Sequence, residues 1–171
     1  GFIVGWNKDV AWGATALGAD QADLFRLKMV DDDTYEYDGI QYDMIISEEI
    51  IKVKGGRDVP ITVKETIIGP VVTELLSSAY PGEEYVLISF PQWDKNDHSV
   101  ESLLDMLDAD DVYSFYNSIQ EYRSPGINCV YGDSKGNIGY SIMAGIPLRS
   151  LNSPLAGGMA QNGSSSDYAW L

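Results

Sequence analysis

The sequence predicts an α+β fold in which strands dominate, and three observations carry that reading. Short β-branched and aromatic runs recur between Gly, Pro and Asp turn signals. Only two stretches carry the helical period. A last hairpin follows them, and no segment repeats.

In order, Val10 to Thr15 reads as a strand that gives way to small residues. Leu24 to Val30 alternates next, with Phe25, Leu27 and Met29 on one side and Arg26 and Lys28 on the other. Asp31-Asp32-Asp33 reads as a solvated turn. Thr34 to Tyr37 and Ile40 to Asp43 flank Asp38-Gly39, a strong signal for a two-residue hairpin. Met44 to Lys54 alternates around Ile46, Ile50 and Val53. Gly55-Gly56 then turns the chain into Val59 to Ile68, which ends at Gly69-Pro70. These pieces predict an antiparallel meander, followed by a short strand over Glu84 to Phe90.

Val100 to Met106 and Val112 to Tyr122 carry the helical spacing, as Val112, Phe115, Tyr116 and Ile119 show. Ser99 is the expected cap of the first, and Asp110 or Asp111 of the second. Asn128 to Tyr131 and Ile138 to Met143 form the closing hairpin across Asp133-Ser134-Lys135-Gly136-Asn137. Residues 1–150 read as one segment. Residues 151–171, rich in Gly and Ser around Gly163-Ser164-Ser165-Ser166, read as a flexible tail.

The 171 residues suffice for one domain with a genuine core. A formal charge of −15 repels phosphate backbones, so nucleic acid and anionic membrane surfaces are not expected partners. No apolar run is long enough to span a bilayer. The single cysteine, Cys129, excludes an internal disulfide and a thiolate zinc site. It sits in an expected strand without a neighbouring base, which reads as a buried structural thiol. His98 lies in a polar run and lacks the context of a catalytic triad.

Several blocks then agree in order with one family. Gly5-Trp6-Asn7, Ala11-Trp12-Gly13-Ala14-Thr15 and Asp20-Gln21-Ala22-Asp23-Leu24-Phe25 form the first. Glu49-Ile50-Ile51-Lys52-Val53-Lys54-Gly55 and Thr66-Ile67-Ile68-Gly69-Pro70 follow. The last is Asn128-Cys129-Val130-Tyr131-Gly132-Asp133 through Gly136-Asn137-Ile138-Gly139-Tyr140, then Gly145-Ile146-Pro147-Leu148-Arg149. The set resembles the β-subunit of the penicillin acylase family, N-terminal-nucleophile amidohydrolases of αββα fold. Trp6 and Ile68 stand where the family pattern has histidine.

The resemblance implies an amide hydrolase acting on penicillin-like or other N-acyl amides, and acylhomoserine-lactone or cephalosporin side chains fall within the same scaffold. In such enzymes an N-terminal Ser, Cys or Thr attacks the amide carbonyl while its own α-amine acts as base, being largely available near neutral pH. Gly1 has no such side chain, and the chain opens within an apolar stretch without an initiator Met. The expectation is therefore an internal fragment. Its nucleophile would lie some tens of residues upstream and the asparagine of its oxyanion hole beyond Leu171. Such a piece alone is expected to be inert.

By the same resemblance Ala16 supplies a backbone N–H to the oxyanion hole and Ala14 a carbonyl to the substrate amide. Val4, Trp93 and Ile127 line the acyl pocket. Asp20, Asp23 and the carbonyl of Ala22 match calcium ligands, less than half of the six to eight oxygens that calcium takes. Two such carboxylates also suit capping or plain solvation. The expected partners are a small N-acyl substrate and the remaining segments of the parent protein, and uncovered sheet edges favour self-association. A noncatalytic β-rich binding module of the same descent is the rival reading.

Overall fold

The computed structural model describes residues 3–76, 83–89, 97–153 and 158–171. In chain order its strands are β1 (Gly5–Trp6), β2 (Val10–Ala16), β3 (Ala22–Arg26), β4 (Lys28–Met29), β5 (Thr34–Tyr37) and β6 (Ile40–Asp43). There follow β7 (Ile45–Ile51), β8 (Val59–Thr66), β9 (Gly69–Pro70), β10 (Tyr85–Ser89), β11 (Ile127–Asp133), β12 (Ile138–Met143) and β13 (Gln161–Asn162). The helices are α1 (Thr73–Leu76), α2 (Ser99–Asp105) and α3 (Val112–Ser118). Antiparallel sheets dominate and the helices are short, as the patterning requires. Among the described residues no helix is long and apolar enough to cross a membrane.

The chain divides into two compact units, residues 1–21 with 90–147 and residues 22–89 with 148–171. In the first unit β1, β2, β11 and β12 form a four-stranded sheet in that order, antiparallel throughout. Period-two alternation sends Val10, Trp12, Ile127, Cys129, Tyr131 and Met143 to one face. Val112, Phe115 and Ile119, spaced for a helix, bury against them together with Met106. Phe115 sits between two rings, its centroid 5.5 Å from Trp12 and 4.6 Å from Tyr131. Gly139 makes room for the Tyr131 phenol, because a Cβ there would lie 2.3 Å from the ring.

Asp111 caps α3: its carboxylate accepts from the Tyr113 and Ser114 N–H groups, and Ser114 Oγ accepts from the Asp111 N–H. Ser99 does not cap α2. His98 holds that position without a side-chain bond, and Ser99 Oγ accepts instead from the N–H groups of Arg123 and Ser124. At the β11–β12 turn, Asp133 accepts from the side chain and backbone of Asn137 and from the Lys135 and Val112 N–H groups.

These bonds set a pH dependence. The Asn137 side chain first, then the surrounding backbone N–H groups, hold the Asp133 carboxyl below its usual range, and the Ser114 N–H does most for Asp111. A carboxylate with a lowered folded-state pKa stabilises the fold above its unfolded value and loses that contribution as pH falls through the folded one. The melting-temperature gap between wild type and Asp133→Asn is therefore expected to be largest above about pH 5 and to close towards about pH 2. A gap that stays constant in a melting series across that window contradicts the assignment.

In the second unit the expected strand over Leu24 to Val30 breaks at Leu27, whose N–H donates to the Glu84 carbonyl at 2.9 Å. β3 pairs with β10 on one side of the break, and β4 pairs with β5 on the other. The hairpin turn has φ of 49° at Asp38 and 75° at Gly39, as a type I′ turn demands. Tyr35 is fully buried, and its hydroxyl accepts from the Ile67 N–H at 2.8 Å. β7 and β8 form a ribbon whose Ile45, Ile50, Ile51 and Ile61 stay exposed.

The described residues of the 151–171 stretch are built into this unit. β13 pairs parallel with β3 and buries Gln161, and Ser164 and Ser166 bond to Asp38. Gly163 serves close approach here, since a Cβ on it would stand 2.7 Å from the Arg26 carbonyl oxygen.

Candidate active site

The register of β2 decides what its end can do. Ala16 lies opposite Ile127 and Thr15 opposite Asn128. Leu17 N–H donates to the Gly126 carbonyl at 3.0 Å, and Ser134 N–H donates to the Asp9 carbonyl at 2.8 Å. Those bonds place the odd residues of β2 in the hydrogen-bonded pairs with β11. In an antiparallel ladder the alternate residues turn their backbone groups the other way. The N–H and C=O of Ala14 and Ala16 consequently face the β1 side.

β1 meets β2 only at Trp12 and Ala11, through Gly5 and Trp6. Ile3 and Val4 form a bend rather than a continuing strand. Among the described residues, no strand covers the edge at Ala14 and Ala16.

Ala14 and Ala16 thus occupy neighbouring positions on one edge that no described strand covers, with Ile127 directly across from Ala16. Ile127 is 7% exposed and belongs to the core, against which Ala14 also packs. Val4 is 57% exposed. Trp93 lies outside the described residues. Trp6, in the position of a family histidine, is 81% exposed.

Side-chain amides hold this end of the unit. Gln21 donates to the carbonyls of Arg123 and Gly145 at 2.9 and 2.6 Å, and its oxygen accepts from the Gly126 N–H at 2.6 Å. At the opposite end of β2, Asn7 donates to the Leu107 and Ala109 carbonyls and accepts from the Asp9 and Val10 N–H groups. On the face away from the helices, Tyr140 donates to Asn128 Oδ1 at 2.7 Å, and Asn128 Nδ2 donates to Thr15 Oγ1 and to the Ala16 carbonyl, each at 3.2 Å. That face carries an open apolar basin lined by Ala11, Gly13, Val130, Gly132, Ile138 and Tyr140. Gln21, Asn128 and Tyr140 were not expected as site residues. The available signal was their place inside the matched blocks, where a polar residue amid a strand or loop needs a partner.

The other candidates carry less chemistry. Cys129 is buried, and burial pushes its thiol up to about 11, which leaves too little thiolate to act as a nucleophile. His98 is exposed, its Nδ1 3.7 Å from Glu101. In the second unit, Asp23 is buried and takes Arg149 with both oxygens, Nε at 2.7 Å and Nη2 at 3.2 Å, and the Trp170 indole N–H at 2.6 Å. Asp20 is exposed in the first unit.

Among the described residues no three His, Cys, Asp or Glu side chains gather as a metal site would require. Asp20, Asp23 and the Ala22 carbonyl supply less than half of the six to eight oxygens that a calcium centre takes.

A family model described as penicillin amidase matches residues 1–171. Acyl-homoserine lactone acylase QuiP of Pseudomonas fluorescens is 27% identical over 150 residues, 86% of this chain and 18% of the relative. Penicillin G acylase of Escherichia coli is 29% identical over 155 residues, 87% of this chain and 17% of the relative. Among solved structures, thermostable penicillin G acylase from Alcaligenes faecalis superposes with a TM-score of 0.79 at 28% identity. That match covers 99% of this chain and 30% of the acylase chain. The chain therefore spans under a fifth of the length of these curated relatives.

Proposed function

The chain belongs to the penicillin amidase family, and from that premise we propose that it is the acyl-receiving segment of an amide hydrolase that removes an apolar acyl group from an N-acyl amine. A hydroxyl supplied elsewhere in the parent protein attacks the amide carbonyl, and its own α-amine takes the proton. The carbonyl oxygen then bears negative charge, which the Ala16 N–H receives while the Ala14 C=O accepts from the substrate amide N–H. The protonated α-amine passes that proton to the leaving amine, whose departure leaves an acyl ester. Water, giving its proton to the same α-amine, then releases the acid and restores the hydroxyl. Ile127 and Val4 border the acyl group.

The observation that supports this reading is the alternation in β2. It turns the backbone groups of Ala14 and Ala16 to the same edge, which no described strand covers, where N–H groups fixed by a sheet can stabilise a developing charge.

The test is hydrolysis by the parent protein of N-acyl-homoserine lactones of graded chain length and of penicillin G, followed by released amine. The expected result is cleavage of both classes, with the higher kcat/KM on acyl-homoserine lactones. Correctly folded parent protein that releases amine from neither refutes the hydrolase reading and leaves the binding module.

A further inference from the structure

We propose that Asn128, oriented by Tyr140, is a positioning residue that anchors the Ala16 carbonyl and the Thr15 side chain, and so limits the movement of the residue whose N–H faces the oxyanion. The inference rests on the oxyanion reading of Ala16 given above, and all of its residues belong to the first compact unit.

Two peptide planes flank Ala16, and its N–H belongs to the one shared with Thr15. The Thr15–Asn128 pair is of the hydrogen-bonded kind by the parity established above, so the ladder holds that plane. The next plane is held from one side by the Leu17 N–H on the Gly126 carbonyl. Its other end, the Ala16 C=O, faces the edge that no described strand covers. There the Asn128 side chain steps in, donating Nδ2 to that oxygen and to Thr15 Oγ1. One amide thus grips residues 15 and 16 together.

Holding the carbonyl has a second effect. An open C=O beside an oxyanion presents its negative end to it, and a donor on that oxygen reduces the repulsion. A donor preorganised before charge develops requires no rearrangement during reaction.

The amide must face the right way to do this. Asn oxygen and nitrogen are assigned from their partners, and here the partners agree. The Tyr140 hydroxyl donates to Oδ1 across β12 and β11, which leaves Nδ2 for β2. Asn128 lies on the sheet face away from the buried core, so its conservative replacement leaves the packing of that core in place.

The test uses the full-length parent protein carrying Asn128→Ala, Asn128→Asp or Tyr140→Phe, with two readouts. The first is the Ala16 cross-peak in protein labelled with ¹⁵N-alanine, which does not depend on activity. The second is kcat and KM on an N-acyl-homoserine lactone. Asn128→Ala is expected to shift and broaden the Ala16 peak and lower kcat about tenfold, below the ~10²–10³ that follows loss of an oxyanion donor itself. KM should stay within about twofold, since ground-state binding is untouched. Asn128→Asp loses the donor and adds charge, so its kcat falls further, and Tyr140→Phe shows the same pattern more weakly.

An unmoved Ala16 peak in Asn128→Ala overturns the proposal whatever the activity. A moved peak with unchanged kcat overturns it too. A wild-type protein without amidase activity instead removes the oxyanion reading, and the catalytic part of this proposal falls with it.

Discussion

Ala16→Pro is expected to lower kcat of the parent protein by about 10²–10³, the loss seen when one oxyanion donor is removed. Proline deletes the N–H and nothing else that the proposed chemistry uses. In most strands it would also break a ladder bond. Here the Ala16 N–H faces away from β11 and no described strand covers that edge, so proline falls where sheets tolerate it. Thr15, the residue before it, is already extended, as a residue preceding proline prefers. Ala16→Val keeps the donor and serves as the control. Steady-state kinetics beside a melting curve decide the matter. An Ala16→Pro protein that melts normally and retains most of its kcat excludes the Ala16 amide from the oxyanion hole.

The second large effect concerns stability. Arg149→Ala is expected to cost about 3–5 kcal/mol, because it leaves a buried carboxylate without its cation. The Asp23 side chain is 1% exposed and that of Arg149 12%. The Trp170 indole N–H remains on Asp23 Oδ2, but a neutral donor does not replace a charge. Removing both charges is gentler: Asp23→Asn with Arg149→Met should cost much less than Arg149→Ala alone. Urea unfolding of the three proteins measures this. A loss below about 1 kcal/mol in Arg149→Ala would mean that the pair is solvated and contributes as little as an ordinary surface bridge.

Much of the fold was legible locally. The Asp38-Gly39 turn needed only the positive φ that those residues accept, and the β11–β12 hairpin only its alternation. Asp111 was readable as a cap because the bonds that define a cap lie within three residues. The break at Leu27 was not, since the alternation of Phe25, Leu27 and Met29 runs straight through it. What changes there is the partner: the chain follows β10 as far as Leu27 and pairs with β5 from Lys28, a switch set by strands that lie elsewhere in the sequence. Ser99 misled for the same reason, its hydroxyl serving Arg123 and Ser124 rather than its own helix.

The candidate site divides in the same way. The matched blocks pointed to Ala14, Ala16 and Ile127, which the sheet places on two adjacent strands. The same blocks contained Gln21, Asn128 and Tyr140, but their roles depend on partners more than 100 residues away or on a neighbouring strand. Asp23 was read with Asp20, its neighbour in sequence. Its partner in space is Arg149, 126 positions later, and no local pattern reveals such a pairing.

The parity of β2 has an evolutionary consequence. Any codon at position 16 other than proline still encodes an amide proton, so its identity can drift without erasing the donor. Deleting a single residue between Trp12 and Thr15 would be far harsher, exchanging the roles of inward and outward amides along the rest of the strand. Lineages descended from this scaffold should therefore vary freely in spelling at that position while holding the strand's length constant.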